Sequence, residues 1–126
     1  LAELLLATAE IRLVVLPSSR FSDDAALTVV VAAKGYPDAP VKGGAISGIA
    51  AAEAGGAKLF HAGTALKNGQ LVASGGRVLN VTARAATVGA AQQAAYAAVD
   101  KLEFVDGFCR RDIGWREAER EAKGSA

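Results

Sequence analysis

The chain has 126 residues, 52% of them hydrophobic and 21% charged, so it is apolar enough to fold and short enough for one core, which excludes both disorder and a second full domain. Fourteen basic residues against thirteen acidic ones leave a net charge of +1, which provides no field to recruit nucleic acid or an anionic membrane. A single cysteine, Cys109, excludes an internal disulfide and the four-cysteine or Cys2His2 zinc sites, and is consistent with a reducing compartment.

Residues 1–9 place Leu1, Leu4, Leu5 and Thr8 at helical spacing, predicting one or two helical turns laid on a core. The stretch from Leu1 to Leu16 has no basic leader and is interrupted by Glu3, Glu10 and Arg12, so it fits neither a signal peptide nor a membrane span, which needs about 18 uninterrupted apolar residues. The absence of methionine, even at position 1, is expected of a chain that starts inside a longer gene product or after a processing event. Pro17 to Asp24 is polar and turn-rich, and a boundary is expected near residue 20.

Leu27 to Ala33 is β-branched and apolar at consecutive positions, the pattern of a central strand covered on both faces. Lys34-Gly35-Tyr36-Pro37-Asp38 breaks it into a loop, and Ile49 to Ala54 is a short helix closed by Gly55-Gly56. Ala57 to His61 is a strand, and Asn68-Gly69 between apolar flanks predicts a hairpin over 66–72. Arg77 to Ala83 is a further strand, with Arg77, Leu79, Val81 and Ala83 on one face by strict alternation. From Thr87, a natural N-cap, the period changes to helical through Val88, Ala91, Ala95, Ala98 and Leu102. The charged tail from Arg110 to Lys123 is a short helix pinned by Trp115, and Gly124 to Ala126 should fray. Together these elements make an α+β fold: a small bent, mostly antiparallel sheet or half-barrel backed by one long helix.

The chemistry-bearing motifs are few. There is no Walker loop, no GxGxxG, no His-Glu-x-x-His, and no catalytic triad to assemble around the single His61. Asp23 and Asp24 are adjacent carboxylates in a solvated turn. At Ser74-Gly75-Gly76-Arg77, two glycines can turn successive N–H groups toward an anion while the guanidinium grips phosphate oxygens; the other reading is a glycine turn with Arg77 solvated or paired. Lys34 to Pro37 is either a ligand-facing loop or a turn whose tyrosine covers the core. His61 is a structural histidine on residue evidence alone, and Cys109, despite Arg110 and Arg111 beside it, a buried inert thiol.

Five blocks, taken in order, resemble the carboxy-terminal region of glycinamide ribonucleotide synthetases: Lys34 to Pro37, Ile46 to Gly48, Lys58 to Thr64, Gly75 to Ala83 and Phe108 to Arg116. The resemblance implies that residues 1–20 are the end of a preceding ATP-grasp domain or a linker, and 21–126 the carboxy-terminal domain of the ligase. It implies a cytoplasmic ATP-grasp enzyme that joins glycine to 5-phosphoribosylamine in de novo purine biosynthesis, using ATP and Mg2+ (or Mn2+). The glycine-rich lid over ATP and the metal ligands of that family have no counterpart here, so no catalytic residue, metal or nucleotide is assigned to this piece, which is expected to be inactive alone. Its partners are the upstream ATP-grasp and N-terminal domains and small-molecule substrates, with Arg77, Gly75, Gly76, His61 and Lys34 as substrate-binding candidates. The alternative is a non-catalytic structural or small-molecule-binding module descended from that domain.

Overall fold

The computed structural model describes residues 1–18 and 20–124. Ser19, in the expected boundary, and Ser125 and Ala126, expected to fray, lie outside the described residues.

The architecture is α+β. The elements are α1 (Ala2–Ala9), a 3-10 turn (Leu13–Val15), β1 (Ala25–Ala33), α2 (Ile49–Glu53), β2 (Lys58–His61), β3 (Thr64–Lys67), β4 (Gln70–Ala73), β5 (Arg77–Ala85), α3 (Val88–Val99), β6 (Gly107–Phe108) and α4 (Trp115–Gly124). Four strands form an antiparallel sheet in the order β2-β5-β1-β6. The β3-β4 hairpin turns through Asn68 and Gly69, both at positive φ, as a two-residue primed turn requires. Residues 43–46 run beside β4, with the Ile46 N–H donating to the Leu71 carbonyl at 2.9 Å, and Ser47 bridges to Glu103.

The helices gather on one face: α3 packs on β1 and β5, and α2 and α4 pack on α3. Leu27, Val29 and Val31 of β1 and Leu79, Val81 and Ala83 of β5 are buried there beneath Ala91, Ala95 and Ala98 of α3. Alanine at each helical contact lets the helix axis approach the sheet closely. Thr87 caps α3 as predicted, its Oγ1 accepting from the Ala90 N–H at 3.1 Å. The helix stops at Val99, three residues short of Leu102, because 3-10-type bonds from Lys101 to Ala98 and from Leu102 to Val99 close its last turn.

Four expectations need correction. β1 is central, but it is covered on one face only: Ala26, Thr28 and Val30 are exposed because α3, with α2 and α4 packed on it, lies on the other side. α1 does not lie on the core, since only Ala7 is buried while Leu1, Leu5 and Leu6 are exposed and its packing is against the 3-10 turn. Trp115 does not pin the tail; it is 43% exposed with Arg116 over its ring.

The fourth correction concerns parity. β1 and β5 pair in register from Ala25 opposite Ala85 to Val31 opposite Leu79, but Ala32 then faces Arg77. Val78 is therefore an extra residue, a β-bulge, and one extra residue reverses which face every later side chain takes. Arg77 shares a face with Ala32, Val30 and Thr28 and not with Leu79, Val81 and Ala83. Val78 itself is fully buried.

The tail is held instead by Glu121 of α4, whose two carboxylate oxygens accept from the Val88 and Gly89 N–H groups at 2.8 and 3.0 Å. These are orphan donors of the first turn of α3, so a neighbouring helix supplies a charged cap alongside Thr87. Glu121→Ala is expected to cost about 1–2 kcal/mol in equilibrium urea unfolding of the chain. A loss below about 0.3 kcal/mol would show that solvent replaces the cap without penalty.

Candidate functional site

The open face of the sheet carries the features from which a site can be built. Arg77 is delivered to it by the bulge, and Asn80 and Thr82 by simple alternation, Asn80 standing opposite both Val30 of β1 and Phe60 of β2. Phe108 of β6 faces Ala32 on the same side. Tyr36 reaches this face from the loop after β1, which turns at Gly35 (φ +83°) and is tied by the Tyr36 N–H to the Ala33 carbonyl (3.1 Å) and the Ala39 N–H to the Gly35 carbonyl (2.8 Å).

Tyr36 and Arg77 border two hollows. One, of about 500 Å3, is lined by Tyr36, Ala62, Gly76, Arg77 and Asn80. The other, of about 320 Å3, is floored by Thr28, Val30 and Ala32 with Phe108 and Ile113 at its side. Among the described residues, the Arg77 guanidinium, the Asn80 amide and the Tyr36 hydroxyl have no hydrogen-bond or ion-pair partner. Most other surface arginines here are neutralised: Arg84 by Asp24 at 2.7 Å, Arg110 by Asp112 at 2.7 Å and Arg111 by Asp100 at 2.6 Å.

The glycines of the corner allow close approach of their neighbours, and the Gly75 N–H is already committed within the backbone. The Ser74 and Gly75 N–H groups both donate to the Gly63 carbonyl, at 2.8 and 3.2 Å, and the Gly63 N–H donates to the Arg77 carbonyl at 2.9 Å. Neither Gly75 nor Gly76 has a positive φ, so the alternating backbone of an anion-binding nest is missing and the Gly75 donor is already occupied. The expected role of Gly75 as a backbone donor to ligand is corrected accordingly. A Cβ at Gly75 would lie 3.2 Å from the Gly63 Cα, and one at Gly76 only 2.3 Å from Cδ2 of Tyr36.

His61 and Lys34 fare differently. His61 is opposite Leu79, on the helix-bearing side of the sheet, so the structure does not bring it together with Arg77. Its Nδ1 is 3.1 Å from Thr64 Oγ1. Nearby Glu53 accepts the Leu59 N–H at 3.0 Å and pairs with Lys58 at 3.0 Å; the backbone donor first, then the ammonium, hold its carboxyl below the usual range. Lys34 is exposed at the end of β1, its backbone bonded to Asp106 and Val41, in the segment that pairs with the Gly76 corner through the Ala33 N–H at 2.8 Å. Asp24 is committed to Arg84 and to a turn with Ser22, as a solvated turn requires. Cys109 is half-buried and borders hollows on both sides, where a fully buried thiol was expected.

Asn80 is the residue that sequence reading passed over as a ligand group, while Tyr36 lay in the loop read either as ligand-facing or as a core-covering turn. The available signal for Asn80 was an amide in the run Val78-Leu79-Asn80-Val81, whose other members are aliphatic. No group of three or more His, Cys, Asp or Glu side chains among the described residues converges so as to hold a metal ion. No step through a magnesium or manganese centre is assigned to these residues. No helix among the described residues is long and apolar enough to cross a membrane.

Residues 26–116 match the family described as Phosphoribosylglycinamide synthetase, C domain. The chain is 61% identical over 104 residues to a phosphoribosylamine--glycine ligase of Mesorhizobium japonicum, covering 82% of this chain and 24% of that protein. It is 48% identical over 122 residues to the enzyme of the same name from Escherichia coli, covering 96% of this chain and 28% of that protein. The crystal structure of phosphoribosylamine--glycine ligase from Thermotoga maritima superposes with a TM-score of 0.60 at 41% identity, over 69% of this chain and 21% of that one. The chain thus spans about a quarter of the length of the curated relatives it matches.

Proposed function

The chain belongs to the Phosphoribosylglycinamide synthetase, C domain family, and from that premise we propose that it completes the substrate site of a cytoplasmic ATP-grasp ligase joining glycine to 5-phosphoribosylamine. Residues 1–20 then belong to the preceding domain or a linker, and 21–126 form the carboxy-terminal domain. ATP and its Mg2+ or Mn2+ are held by the other domains, and the part played here is substrate binding. The observation that carries this reading is the unpaired guanidinium of Arg77, placed by a bulge on an open face where it borders two hollows. A fixed guanidinium fork matches the oxygens of a phosphate monoester, and a charge-assisted bond of that kind contributes about 1.5–3 kcal/mol. Lys34 adds a second cation at the same end of the sheet, while His61 lies across the sheet and is left with a structural part.

In the full-length enzyme, Arg77→Ala is expected to raise the KM for phosphoribosylamine about 10- to 100-fold while leaving those for glycine and ATP within about twofold. Wild-type constants would remove Arg77 from the site. A second reading, a structural module docked on the rest of the enzyme, rests on the exposed Val30, Phe60 and Phe108 of the same face. It predicts unchanged substrate constants for Arg77→Ala together with a lowered Tm for Val30→Asp.

A further inference from the structure

Tyr36 is held with unusual care for a residue that is 38% exposed and whose hydroxyl bonds to nothing among the described residues. Gly35 can be no other residue cheaply, because its φ is +83° and a Cβ there would lie 2.2 Å from the Ala39 carbonyl oxygen. Gly76 is a different case. Its φ is not positive, so any residue could adopt its backbone; what forbids a side chain is the Tyr36 ring, with Cδ2 at 2.3 Å and Cε2 at 2.9 Å from where a Cβ would stand. A glycine is thus spent on seating one exposed ring. That ring forms a wall of the hollow into which Arg77 and Asn80 also turn unpaired polar groups.

An aromatic wall, a guanidinium and an amide around one hollow are complementary to a sugar phosphate. The ring covers an apolar ribose face, the amide both donates to and accepts from hydroxyls, and the guanidinium takes the phosphate. Resting on the substrate reading above, we infer that Tyr36 and Asn80 recognise the ribosyl portion of the phosphorylated amine, and that Gly76 is a positioning residue acting solely through the Tyr36 ring.

The test is a double-mutant cycle in the full-length enzyme. Tyr36→Ala and Gly76→Ala are each expected to raise the KM for phosphoribosylamine about tenfold, with those for glycine and ATP unchanged. The double variant should be no worse than Tyr36→Ala alone, because the new methyl then enters the space the ring has left. Tyr36→Phe keeps the ring over Gly76 and removes only the hydroxyl, so it guards against misfolding; it and Asn80→Ala are each expected to raise the same constant roughly fivefold. Multiplicative effects in the cycle, equal changes for all three substrates, or wild-type constants for both Tyr36→Phe and Asn80→Ala would overturn the inference. The two readings fail separately: an inert Arg77→Ala beside an active cycle removes the phosphate clamp and keeps the Tyr36 wall, and the reverse pattern does the opposite.

Discussion

Alanine at position 63 is expected to destabilise the chain by about 3 kcal/mol. A Cβ there would stand 2.7 Å from the Arg77 carbonyl oxygen and 2.8 and 2.9 Å from the Gly75 Cα and N. All three are backbone atoms, so no side chain can swing aside. The same backbone carries three hydrogen bonds, from Ser74 and Gly75 to the Gly63 carbonyl and from Gly63 to the Arg77 carbonyl, and separating the two segments would strain all of them. At about 4–8 °C per kcal/mol for a domain of this size, Tm should fall by more than about ten degrees. Gly69→Ala is the control: nothing lies within 4 Å of its Cβ position and only the positive φ of 79° opposes it, a cost of about 1–2 kcal/mol. A Gly63→Ala variant melting no lower than Gly69→Ala would mean that the corner opens freely.

Leu79→Ala should cost about 2–5 kcal/mol, measured as a lowered urea midpoint at unchanged slope. Leu79 is fully buried, stands opposite Val31 on one side and His61 on the other, and immediately follows the bulge. Its neighbours belong to strands whose ladders fix them in place, so the cavity cannot collapse and both the transfer and the void contribute. Leu79→Met, which nearly conserves volume, should cost less than about 1.5 kcal/mol. Equal losses for the two variants would point to a requirement for branched shape and not for filled space.

Much of this fold is visible in local patterns because local physics decides it. Asn68-Gly69 makes its turn through two positive φ values, Thr87 caps α3, and the alanine stripe at 91, 95 and 98 is the buried side of the helix. Each of these depends on residues within a turn or two. The orientation of Arg77 does not. A bulge adds a residue relative to a partner strand some 45 positions away, and Arg77-Val78-Leu79 on its own alternates like any other strand. The two-sided cover expected for β1 failed for a related reason: apolar Val30 shows that a face is suited to burial, not that the described chain supplies the cover. Asn80 was passed over, and the two readings of the Tyr36 loop stood level, because the property that singles both residues out, a polar group without a partner, belongs to the assembled hollow. The reading of Gly75 as an anion donor was mistaken because its N–H is taken up by the Gly63 carbonyl, while the space beside Gly76 is taken up by the Tyr36 ring.

Val78 makes the pairing register itself a functional variable along this edge. Were Val78 taken into the ladder opposite Ala32, alternation would carry the guanidinium beneath the alanines of α3, a charge submerged among aliphatics with no counter-ion, whereas excising the valine would leave Arg77 opposite Ala32 and on the open face. What the position demands is thus a register to be kept, more than a particular side chain to be recognised. A one-residue slip of the pairing here would silence the arginine while every letter of its motif stayed legible.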